Sequence, residues 1–519
     1  MKRFFPSLII ISLLLLFGCK AIQDKSTAPK DDGIIEVQIL QLNDVYEIAP
    51  LSGGKVGGMA RVATIRKQLL AKNPNTYTIM AGDFLSPSVI ATIKHEGERI
   101  RGKQMVEAMN SVGIDLAIFG NHEFDLKEAD LLKRIDESQF EWLASNVKYQ
   151  TARGTSPFQK TGGAPFPEKM VKTFTDADGT TLRLGLLGVT LSVNNPDYVV
   201  YEDVNATAKR TYSELAPISD AVIAITHLEI RDDKALAKQL QEVPLFMGGH
   251  DHNNMSVREG KVTITKADAN AKTVYVHTLR YNQGTKQLSI KSKLMEVDEK
   301  IEADPATAAV VQKWMQIAYE GFEADGLNPK AEVVQLKQPI NGKEDVIRHQ
   351  PTILSSTIVK SISAAAPKAQ AAIMNTGSIR IDDWIDGVIT QYDIVRILPY
   401  GGEIYELEIT GALLRKVIDV GLRENVGIGG YLALDRIEYD PTTRNCKVQG
   451  RTVEDDAVYR IALPAFLAAG REQNLSFLKE GEPGVKTVIK PSDAADDLKR
   501  DIQFALIDYL ENNPIPKQP

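Results

Sequence analysis

Short apolar runs alternate with amphipathic segments up to about residue 300. The runs include EVQILQL, TYTIM, LAIF and VIAIT, and apolar residues recur at helical spacing in Met59–Leu70 and Lys103–Ser111. Strands that alternate with helices are typical of an α/β layered domain. Asp178-Gly179 lies between two β-rich runs and predicts a hairpin, so we expect a mixed sheet rather than a purely parallel one.

A second α/β pattern follows a single helical segment. The helical pattern extends from Ala303 to Gly326, and Pro329 follows it. We therefore expect a first α/β domain over residues 34–300, a linker helix within 301–330 and a smaller α/β domain over 331–519. A chain of 519 residues, 43% of them hydrophobic and 25% charged, is long enough for two cores.

The amino terminus has the pattern of an export signal. A Met-Lys-Arg start precedes a hydrophobic stretch that Pro6 interrupts and that is short for a bilayer-spanning helix. We expect residues 1–18 to be a signal peptide. The sequence LFGC resembles a bacterial lipobox, which implies a lipid on Cys19, a polar tether over residues 19–33 and a periplasmic or cell-surface lipoprotein. A secreted protein without a lipid and a retained hydrophobic anchor are the alternatives.

Cysteine content and charge exclude some classes of structure and partner. Cys446 is the only cysteine besides Cys19, so a lipidated Cys19 leaves no disulfide, and we expect Cys446 to be a free buried thiol. The formal net charge is −7 and the chain has no basic tail, which argues against nucleic-acid polymers as partners. We expect a monomer that acts on a small substrate and meets the membrane only through its lipid.

Five apolar runs end on residues of metal-binding types. Because an α/β sheet brings the carboxyl ends of its strands to one edge, ligands far apart in the sequence can converge there. A lone aspartate at a strand end is more often a turn former or a helix cap, but His250 and His252 alternate in an extended segment after two glycines. The run ends are Asn43-Asp44, Gly82-Asp83, Gly120-Asn121-His122-Glu123-Phe124-Asp125, His227 and Gly248-Gly249-His250-Asp251-His252.

This combination of residue types predicts a two-metal hydrolase. Two divalent ions about 3.5 to 4 Å apart need a bridging carboxylate, for which Asp83 is the candidate, and mixed oxygen and nitrogen ligands. Asn121 offers a neutral oxygen to one ion, while His122 stays off the metals. Asp125 lies three residues after His122, a spacing that returns to the same face of a helical turn, where it can orient the ring.

The order of these motifs, together with Gly-Gly-Met-Ala-Arg at 57–61, resembles the calcineurin-like metallophosphoesterase domain of the bacterial 5'-nucleotidase and UDP-sugar hydrolase family. The resemblance extends from about residue 36 to about residue 280. It implies a β-sandwich flanked by helices and two divalent ions such as zinc, manganese or cobalt. It also implies a catalytic dyad of His122 and Asp125. The implied ligands are Asp44, Asp83 and His252 for one ion, and Asp83, Asn121, His227 and His250 for the other.

One ligand position departs from the family pattern. The family reads Asn-Asp-x-His, whereas this chain has Asn43-Asp44-Val45-Tyr46. A phenol keeps its proton near neutral pH, because its reference pKa is about 10, and it is a poor ligand unless the ion itself acidifies it. We therefore expect the first ion to be held more weakly, or by water in place of Tyr46.

The second domain resembles the family's carboxy-terminal nucleotide-binding domain. Asn375-Thr376-Gly377-Ser378-Ile379-Arg380 fits an Asn-x-Gly-x-x-Arg segment, and Leu-Pro-Tyr-Gly at 398–401 fits a Leu-Pro-Phe-Gly turn. Arg396 is a weaker second candidate for binding phosphate or ribose. The segment 470–474 departs from the family's Gly-Gly-Asp-Gly-Tyr, with Glu472 as its only carboxylate. The residues that the resemblance implies for substrate binding are Arg348, Asn375, Gly377, Arg380, Tyr431 and Phe466, the last two as aromatics that sandwich a base.

These observations predict an exported metal-dependent phosphohydrolase, most simply of the 5'-nucleotidase type. A nucleotide-binding lipoprotein that has lost turnover is one alternative, motivated by Tyr46 and the altered 471–474 segment. A phosphoesterase with a non-nucleotide substrate is the other. The retained His122 and Asp125 favour an enzyme, because a pure binding protein has no evident need for that pair.

Overall fold

The computed structural model describes residues 1, 32–494, 496–513 and 515. The predicted signal peptide beyond Met1, the lipidation site Cys19 and nearly all of the polar tether lie outside the described residues. Among the described residues, no helix combines the length and the apolar character that a membrane crossing requires.

Two six-stranded mixed sheets form the amino-terminal half of the structure. In each sheet four neighbouring strands run parallel, and the remaining two strands pair antiparallel with their neighbours. The first sheet has the order Gln287–Glu296, Thr273–Asn282, Ile34–Leu42, Thr76–Met80, Leu116–Ala117 and Glu141–Trp142. The second has the order Met255–Glu259, Val262–Lys266, Leu245–Gly248, Ala221–His227, Thr181–Thr190 and Lys169–Thr175. The α/β sandwich expected from the sequence is confirmed.

Alternation along strand Ile34–Leu42 shows why the sheets stack. Ile35, Val37 and Ile39 point into the core between the two sheets, whereas Leu40 and Leu42 belong to the core under the helices. Successive side chains of a strand point to opposite faces, so a strand covered on both faces is apolar at nearly every position. The predicted hairpin at Asp178-Gly179 is confirmed, because Lys169–Thr175 pairs antiparallel with Thr181–Thr190.

A buried polar bridge joins the two sheets. Gln41 Nε2 donates to the carbonyls of Gly248 and Thr265 at 3.0 Å each. Its Oε1 accepts from Thr265 Oγ1 at 2.8 Å and lies 2.9 Å from His277 Nε2. Burial lowers the pKa of His277 to about 3, so its ring is neutral and serves the core. The bridge fixes the sheets to each other next to the edge that carries the candidate ligands.

Helices cover both faces of the sandwich and connect it to the rest of the chain. The predicted linker helix is Pro305–Ala324, capped by Asp304, whose side chain accepts from Thr307 N. It packs on helices Met59–Lys72 and Lys103–Val112, and Trp314 Nε1 donates to Glu107 at 2.9 Å. The longer helices of the structure are Met59–Lys72, Lys103–Val112, Glu128–Glu137, Val204–Leu215, Ile230–Gln239, Pro305–Ala324, Ile353–Ala365, Gly411–Asp419 and Ile502–Asn512.

The carboxy-terminal domain contains its own five-stranded sheet. The strand order is Leu432–Asp435, Ala371–Asn375, Val458–Pro464, Ile404–Thr410 and Val485–Ile489. Helix Gly411–Asp419 packs on one side of this sheet and helix Ile353–Ala365 on the other. Cys446 is buried in this domain as a free thiol, as expected, and burial raises its pKa to about 11.

The two domains share buried charged contacts. Tyr392 of helix Gln391–Ile397 donates its hydroxyl to Glu47 at 2.7 Å, and Arg396 Nε lies 3.8 Å from the same carboxylate. Lys272 donates to Asp383 at 2.6 Å. Burial raises the pKa of Glu47, while Arg396 and Tyr392 act against that rise. A carboxylate of the first domain therefore depends on partners from the second.

We predict that Tyr392→Phe destabilises the chain by about 1.5–3 kcal/mol, because Glu47 loses a buried donor to a charged group. The unfolding midpoint in urea and in thermal melts measures the effect. Tyr405→Phe is the matched control, since its hydroxyl bonds the exposed Glu403. An equal change in both variants would show that the contact between Tyr392 and Glu47 contributes nothing specific.

Candidate metal and catalytic site

Strands from both sheets end at one edge of the sandwich. Asp44 follows strand Ile34–Leu42, and Asp83 follows the parallel strand beside it. In the second sheet, His227 ends its strand and His250 follows the parallel neighbour. Carboxyl ends of parallel strands lie together, so these four residues meet at the edge. There His227 Nε2 lies 3.1 Å from Asp83 Oδ2.

Asp83, Asn121, His227 and His250 form one cluster, which we name the histidine-pair site. The candidate ligand atoms of Asp83, His227 and His250 all lie within 4.8 Å of one another. His227 Nδ1 donates to the carbonyl of Ala81 at 2.7 Å, which turns Nε2 toward Asp83. This arrangement directs a carboxylate oxygen and two imidazoles at a common space.

Two buried atoms of the histidine-pair site lack a hydrogen-bond partner among the described residues. They are Asn121 Oδ1 and His227 Nε2, and the latter faces Asp83 Oδ2 at 3.1 Å as an ion pair. Buried polar atoms are rarely left unpaired, since each costs about 1–3 kcal/mol. Amide oxygen, carboxylate and imidazole nitrogens suit a first-row divalent ion. These residues therefore fit the ion that the family resemblance implies.

The electrostatics of the histidine-pair site depend on Asp83. Burial alone would raise its pKa, but His227 and His122 hold it below the usual range. Burial alone would lower the pKa of His227, but Asp83 raises it to about 9. Burial and the neighbouring His227 lower the pKa of His250 to about 4. Asp83 is thus an anion, paired here with a protonated His227 whose proton an ion would displace.

Asp44, Asp83, His252 and Tyr46 form a second cluster, which we name the tyrosine site. The Tyr46 hydroxyl lies 3.0 Å from His252 Nε2, 3.1 Å from Asp83 Oδ2 and 3.5 Å from Asp44 Oδ1. His252 Nε2 also lies 3.4 Å from Asp44 Oδ1. Burial and the Asp83 and Asp44 charges raise the pKa of Tyr46 well above 10, so the phenol is neutral.

The polar atoms of the tyrosine site are already paired with protein groups. Asp44 Oδ2 accepts from Asn43 Nδ2 and from the amide of His250, each at 2.8 Å, while Oδ1 faces His252 and Tyr46. Among the described residues, no atom of Asp44, Tyr46 or His252 is buried without a partner. With a protonated phenol in this position, the tyrosine site does not fit a second ion.

His252 is held from both sides and by both domains. Its Nδ1 lies 2.6 Å from Asp382 Oδ2, and Asp382 belongs to the carboxy-terminal half of the chain. Burial alone would lower the pKa of His252, but Asp382 and Asp44 raise it well above 6.5. Asp382 has no counterpart in the sequence motifs, so sequence reasoning did not find it.

The backbone is strained at four predicted ligands. Asp44, Asp83, His250 and His252 have φ angles of 53°, 58°, 83° and 54°. Residues with a Cβ rarely adopt the left-handed region, and such strain persists only where the surrounding structure imposes it. A Cβ at Gly120 would lie 2.1 Å from Asp83 Oδ1, and one at Gly249 would lie 2.5 Å from the carbonyl of Ala81. Glycine is therefore required at both positions by close approach.

Glu123 holds two of the ligand loops together. Its Oε1 accepts from the amides of Phe84 and Leu85 at 2.7 and 3.0 Å. Its Oε2 accepts from Asp83 N at 2.9 Å and Gly120 N at 2.6 Å. Burial and the Asp83 charge raise its pKa to about 7, while these amides act against the rise. The glutamate inside the Asn-His-Glu motif is thus a positioning residue, a role that the sequence reasoning did not assign.

Lys266 plays a comparable part beneath the His250 loop. This fully buried side chain lies 2.8 Å from Asp233 Oδ2, donates to the carbonyl of Gly249 at 2.7 Å and pairs with Asp251. Burial alone would lower its pKa, but Asp233 and Asp251 raise it. The sequence did contain a sign of this role, because a lysine ends the apolar run VTITK. A lysine at a buried strand position is expected to have an acidic partner.

His122 and Asp125 pair as the sequence spacing predicts. His122 Nδ1 lies 2.6 Å from Asp125 Oδ2 within the single turn His122–Asp125. Ser86 Oγ donates to the same carboxylate at 3.1 Å, and Asn194 Nδ2 donates to its other oxygen at 2.7 Å. The amide of His122 donates to Asp83 Oδ1 at 2.8 Å. Asn194 is a further positioning residue, since it holds Asp125, and it lies in none of the motifs identified in the sequence.

A cavity of about 560 Å³ opens between the two domains beside this pair. The first domain contributes Tyr46, His122 and Asp125 to its wall, and the second contributes Arg380 and Tyr400. Arg380 pairs with Glu344 at 3.3 Å, and its buried Nε has no partner among the described residues. A guanidinium and an imidazole that face one space can both contact an anionic group.

The other predicted substrate residues lie elsewhere in the second domain. Asn375 Nδ2 donates to Glu472 at 2.7 Å, and Gly377 N donates to the Gly429 carbonyl at 2.7 Å. Arg348 pairs with Glu344, the carboxylate that Arg380 also contacts. Tyr431 is 7% exposed and Phe466 43% exposed. None of these five residues is among the described residues that line the cavity, whereas the weaker candidate Arg396 is.

Two family models match this chain in sequence order. The model described as calcineurin-like phosphoesterase matches residues 37–254, and the model described as 5'-nucleotidase, C-terminal domain, matches residues 333–480. A 5'-nucleotidase of Vibrio cholerae is 23% identical over 531 residues, covering 91% of this chain and 90% of its own length.

Solved structures share the two-domain fold. A 5'-nucleotidase precursor from Thermus thermophilus superposes with a TM-score of 0.67 at 20% identity, covering 92% of this chain and 96% of its own. A sulfate thiohydrolase of the same organism superposes with a TM-score of 0.61 at 15% identity, covering 92% and 94%. With both family domains present in order, the chain belongs to the 5'-nucleotidase family of metal-dependent phosphoric ester hydrolases.

Proposed function

We propose that this chain is an exported enzyme that releases phosphate from 5'-nucleotides, with His122 and Asp125 as its catalytic dyad. The observation that carries the proposal is the shared cavity. His122, Asp125 and Arg380 line it, and the amide of His122 bonds Asp83 of the histidine-pair site. A phosphoester in this cavity would contact the dyad and the guanidinium together, next to the unpaired ligand atoms.

The residues of the histidine-pair site would hold the required ion. The chemistry that a divalent ion supplies in such a site is polarisation of the phosphoryl group and acidification of a water molecule. Glu123 and Lys266 keep the loops of Asp83, Asn121 and His250 in place for it. A second ion, which the resemblance implies, would need the tyrosine site, where the polar atoms are already paired.

His122 is suited to transfer a proton to the leaving oxygen. Burial alone would lower its pKa, but Asp83 and Asp125 raise it above 6.5. Its Nδ1–H donates to Asp125, so Nε2 remains for the substrate. A protonated ring in this orientation stabilises charge on the phosphoryl oxygens and can protonate the departing alkoxide. Arg380 would pair with the phosphate or the ribose from the opposite wall of the cavity.

We predict that the purified chain, supplied with manganese, cobalt or zinc, releases phosphate from AMP and from an aryl phosphate. His122→Ala lowers kcat by about 10²–10⁴-fold, because the proton donor is lost. Asp83→Asn abolishes release, because the shared carboxylate is lost. A colorimetric phosphate assay measures both.

His95→Ala is the control, since His95 lies beside Trp314, outside the cavity wall. Nucleotide binding without phosphate release under every ion would favour the binding-protein alternative. Equal activity of His122→Ala and the wild-type chain would remove the dyad from the mechanism.

One observation favours a non-nucleotide phosphoester as the second candidate substrate. The aromatic pair Tyr431 and Phe466 lies apart from the described cavity wall, and Tyr431 is largely buried. The fold itself does not decide, because a sulfate thiohydrolase shares it. The two candidates differ in whether the second domain binds a base.

We predict that Tyr431→Ala and Phe466→Ala raise KM for AMP about tenfold or more and leave KM for an aryl phosphate unchanged, because base stacking contributes about 1–3 kcal/mol. Steady-state kinetics with both substrates measure this. Phe477→Ala serves as the control for loss of an aromatic elsewhere in this domain. Unchanged KM for AMP in both variants would favour the non-nucleotide substrate.

Export rests on the sequence of residues 1–19, and we propose a lipid anchor at Cys19. We predict that the full chain, expressed in a bacterium fed labelled palmitate, becomes labelled, and that Cys19→Ala abolishes the label. Cys446→Ala is the matched control, because it removes the only other cysteine and keeps Cys19. Label that persists in Cys19→Ala would exclude this anchor.

A further inference from the structure

The geometry points to a single catalytic ion, held in the histidine-pair site, with the Tyr46 hydroxyl filling the space of a second ion. The inference rests on the proposed function, because it concerns the ion that the proposed hydrolysis uses. It departs from the expectation of two ions that the family resemblance gives. Three observations on the chain's own residues support it.

The two candidate sites differ in what their atoms lack. In the histidine-pair site, Asn121 Oδ1 and His227 Nε2 are buried without a hydrogen-bond partner among the described residues. In the tyrosine site, by the same criterion, the carboxylate of Asp44, the hydroxyl of Tyr46 and both ring nitrogens of His252 have hydrogen-bond partners. Buried polar atoms almost always have a hydrogen-bond partner, so a buried ligand atom without one indicates a missing group such as an ion. Among the described residues, only the histidine-pair site therefore has buried ligand atoms that lack a hydrogen bond.

The length of the tyrosine side chain explains the difference. A phenol carries its oxygen farther from the backbone than an imidazole carries its nitrogen, so Tyr46 reaches past the position of a histidine ligand. Its hydroxyl accordingly lies between His252, Asp83 and Asp44. An ion in this site would sit about 2.0–2.2 Å from each nitrogen and oxygen ligand. It would have to displace the hydroxyl or remove its proton.

Tyr46 is not free to move aside. The side chain is 8% exposed, and its ring packs edge-on against His122 and His252, with centroids 6.2 and 5.4 Å away. Its backbone amide donates to Asn270 Oδ1 at 3.1 Å. The contact of His252 with Asp382 does not decide the matter, because ligating histidines commonly bond a carboxylate through their other nitrogen. Tyr46, and not the partner of His252, therefore distinguishes the tyrosine site from one that binds an ion.

Metal counting tests the inference directly. The purified chain is stripped with a chelator and dialysed against manganese alone, and bound metal is measured by mass spectrometry as free manganese rises about a hundredfold beyond half-saturation. We expect one ion per chain and the electron paramagnetic resonance spectrum of an isolated ion. Two ions per chain or the spectrum of a spin-coupled pair would overturn the inference.

Variants show which residues hold the ion. We expect His227→Ala to lose it, whereas His252→Ala keeps one ion. Tyr46→His should gain a second ion, because histidine removes the hydroxyl from this space and supplies a ring nitrogen as a ligand. Circular dichroism of each variant tests whether it folds. The number of ions bound by the wild-type chain tests the inference even if a variant fails to fold. A lost ion in His252→Ala, or a single ion in Tyr46→His, would contradict the assignment.

The count separates this inference from the proposed function. Phosphate release is assayed on the same samples after the metal has been measured. One ion without release leaves the inference intact and defeats the proposed function. Two ions per chain with phosphate release overturn the inference and support the proposed function.

Discussion

The burial of two neighbouring carboxylates, Asp44 and Asp83, is the constraint on which the rest of the site depends. Both are fully buried at the edge where the two sheets meet. Buried anions are costly unless positive groups and donors surround them. Backbone amides, Asn43, His227 and Tyr46 supply those partners, and positive φ angles at both aspartates show that the chain accepts strain to bring them close. An ion in the histidine-pair site would complete this compensation.

The sequence predicted the features that depend on local pattern. The apolar runs, the hairpin at Asp178-Gly179 and the linker helix Pro305–Ala324 follow from periodicity and turn residues, and the strand-end rule brought Asp44, Asp83, His227 and His250 to one edge. Residues that act through long-range contacts could not be found this way. Asn194 and Asp382 lie in no motif, and they matter only because folding places them against Asp125 and His252. The sequence showed that Tyr46 departs from the family's Asn-Asp-x-His pattern. Only the structure shows the effect, because it places the Tyr46 hydroxyl among three candidate ligand atoms.

The second domain belongs to the site as a structural part and not only as a supplier of substrate contacts. Arg380 and Tyr400 form part of the cavity wall, Glu47 is paired by Tyr392 and Arg396, and Asp382 bonds His252. Because of these contacts, the geometry of the site at the sheet edge depends on how the two domains are oriented. Buried charged partners are costly to separate, which favours the observed arrangement over one in which the domains part.

The contact between His252 and Asp382 has a consequence for how the chain can change by recombination. A residue at the metal-binding edge of one domain takes its partner from a loop of the other, so neither domain carries a self-sufficient set of side chains. Exchange of the carboxy-terminal domain for one that lacks an acid at this position would leave a buried imidazole without its carboxylate. Such a chimera would inherit every motif of the first domain and still have a different site. Compatibility between the domains therefore depends on residue 382, which lies in none of the motifs identified in the sequence.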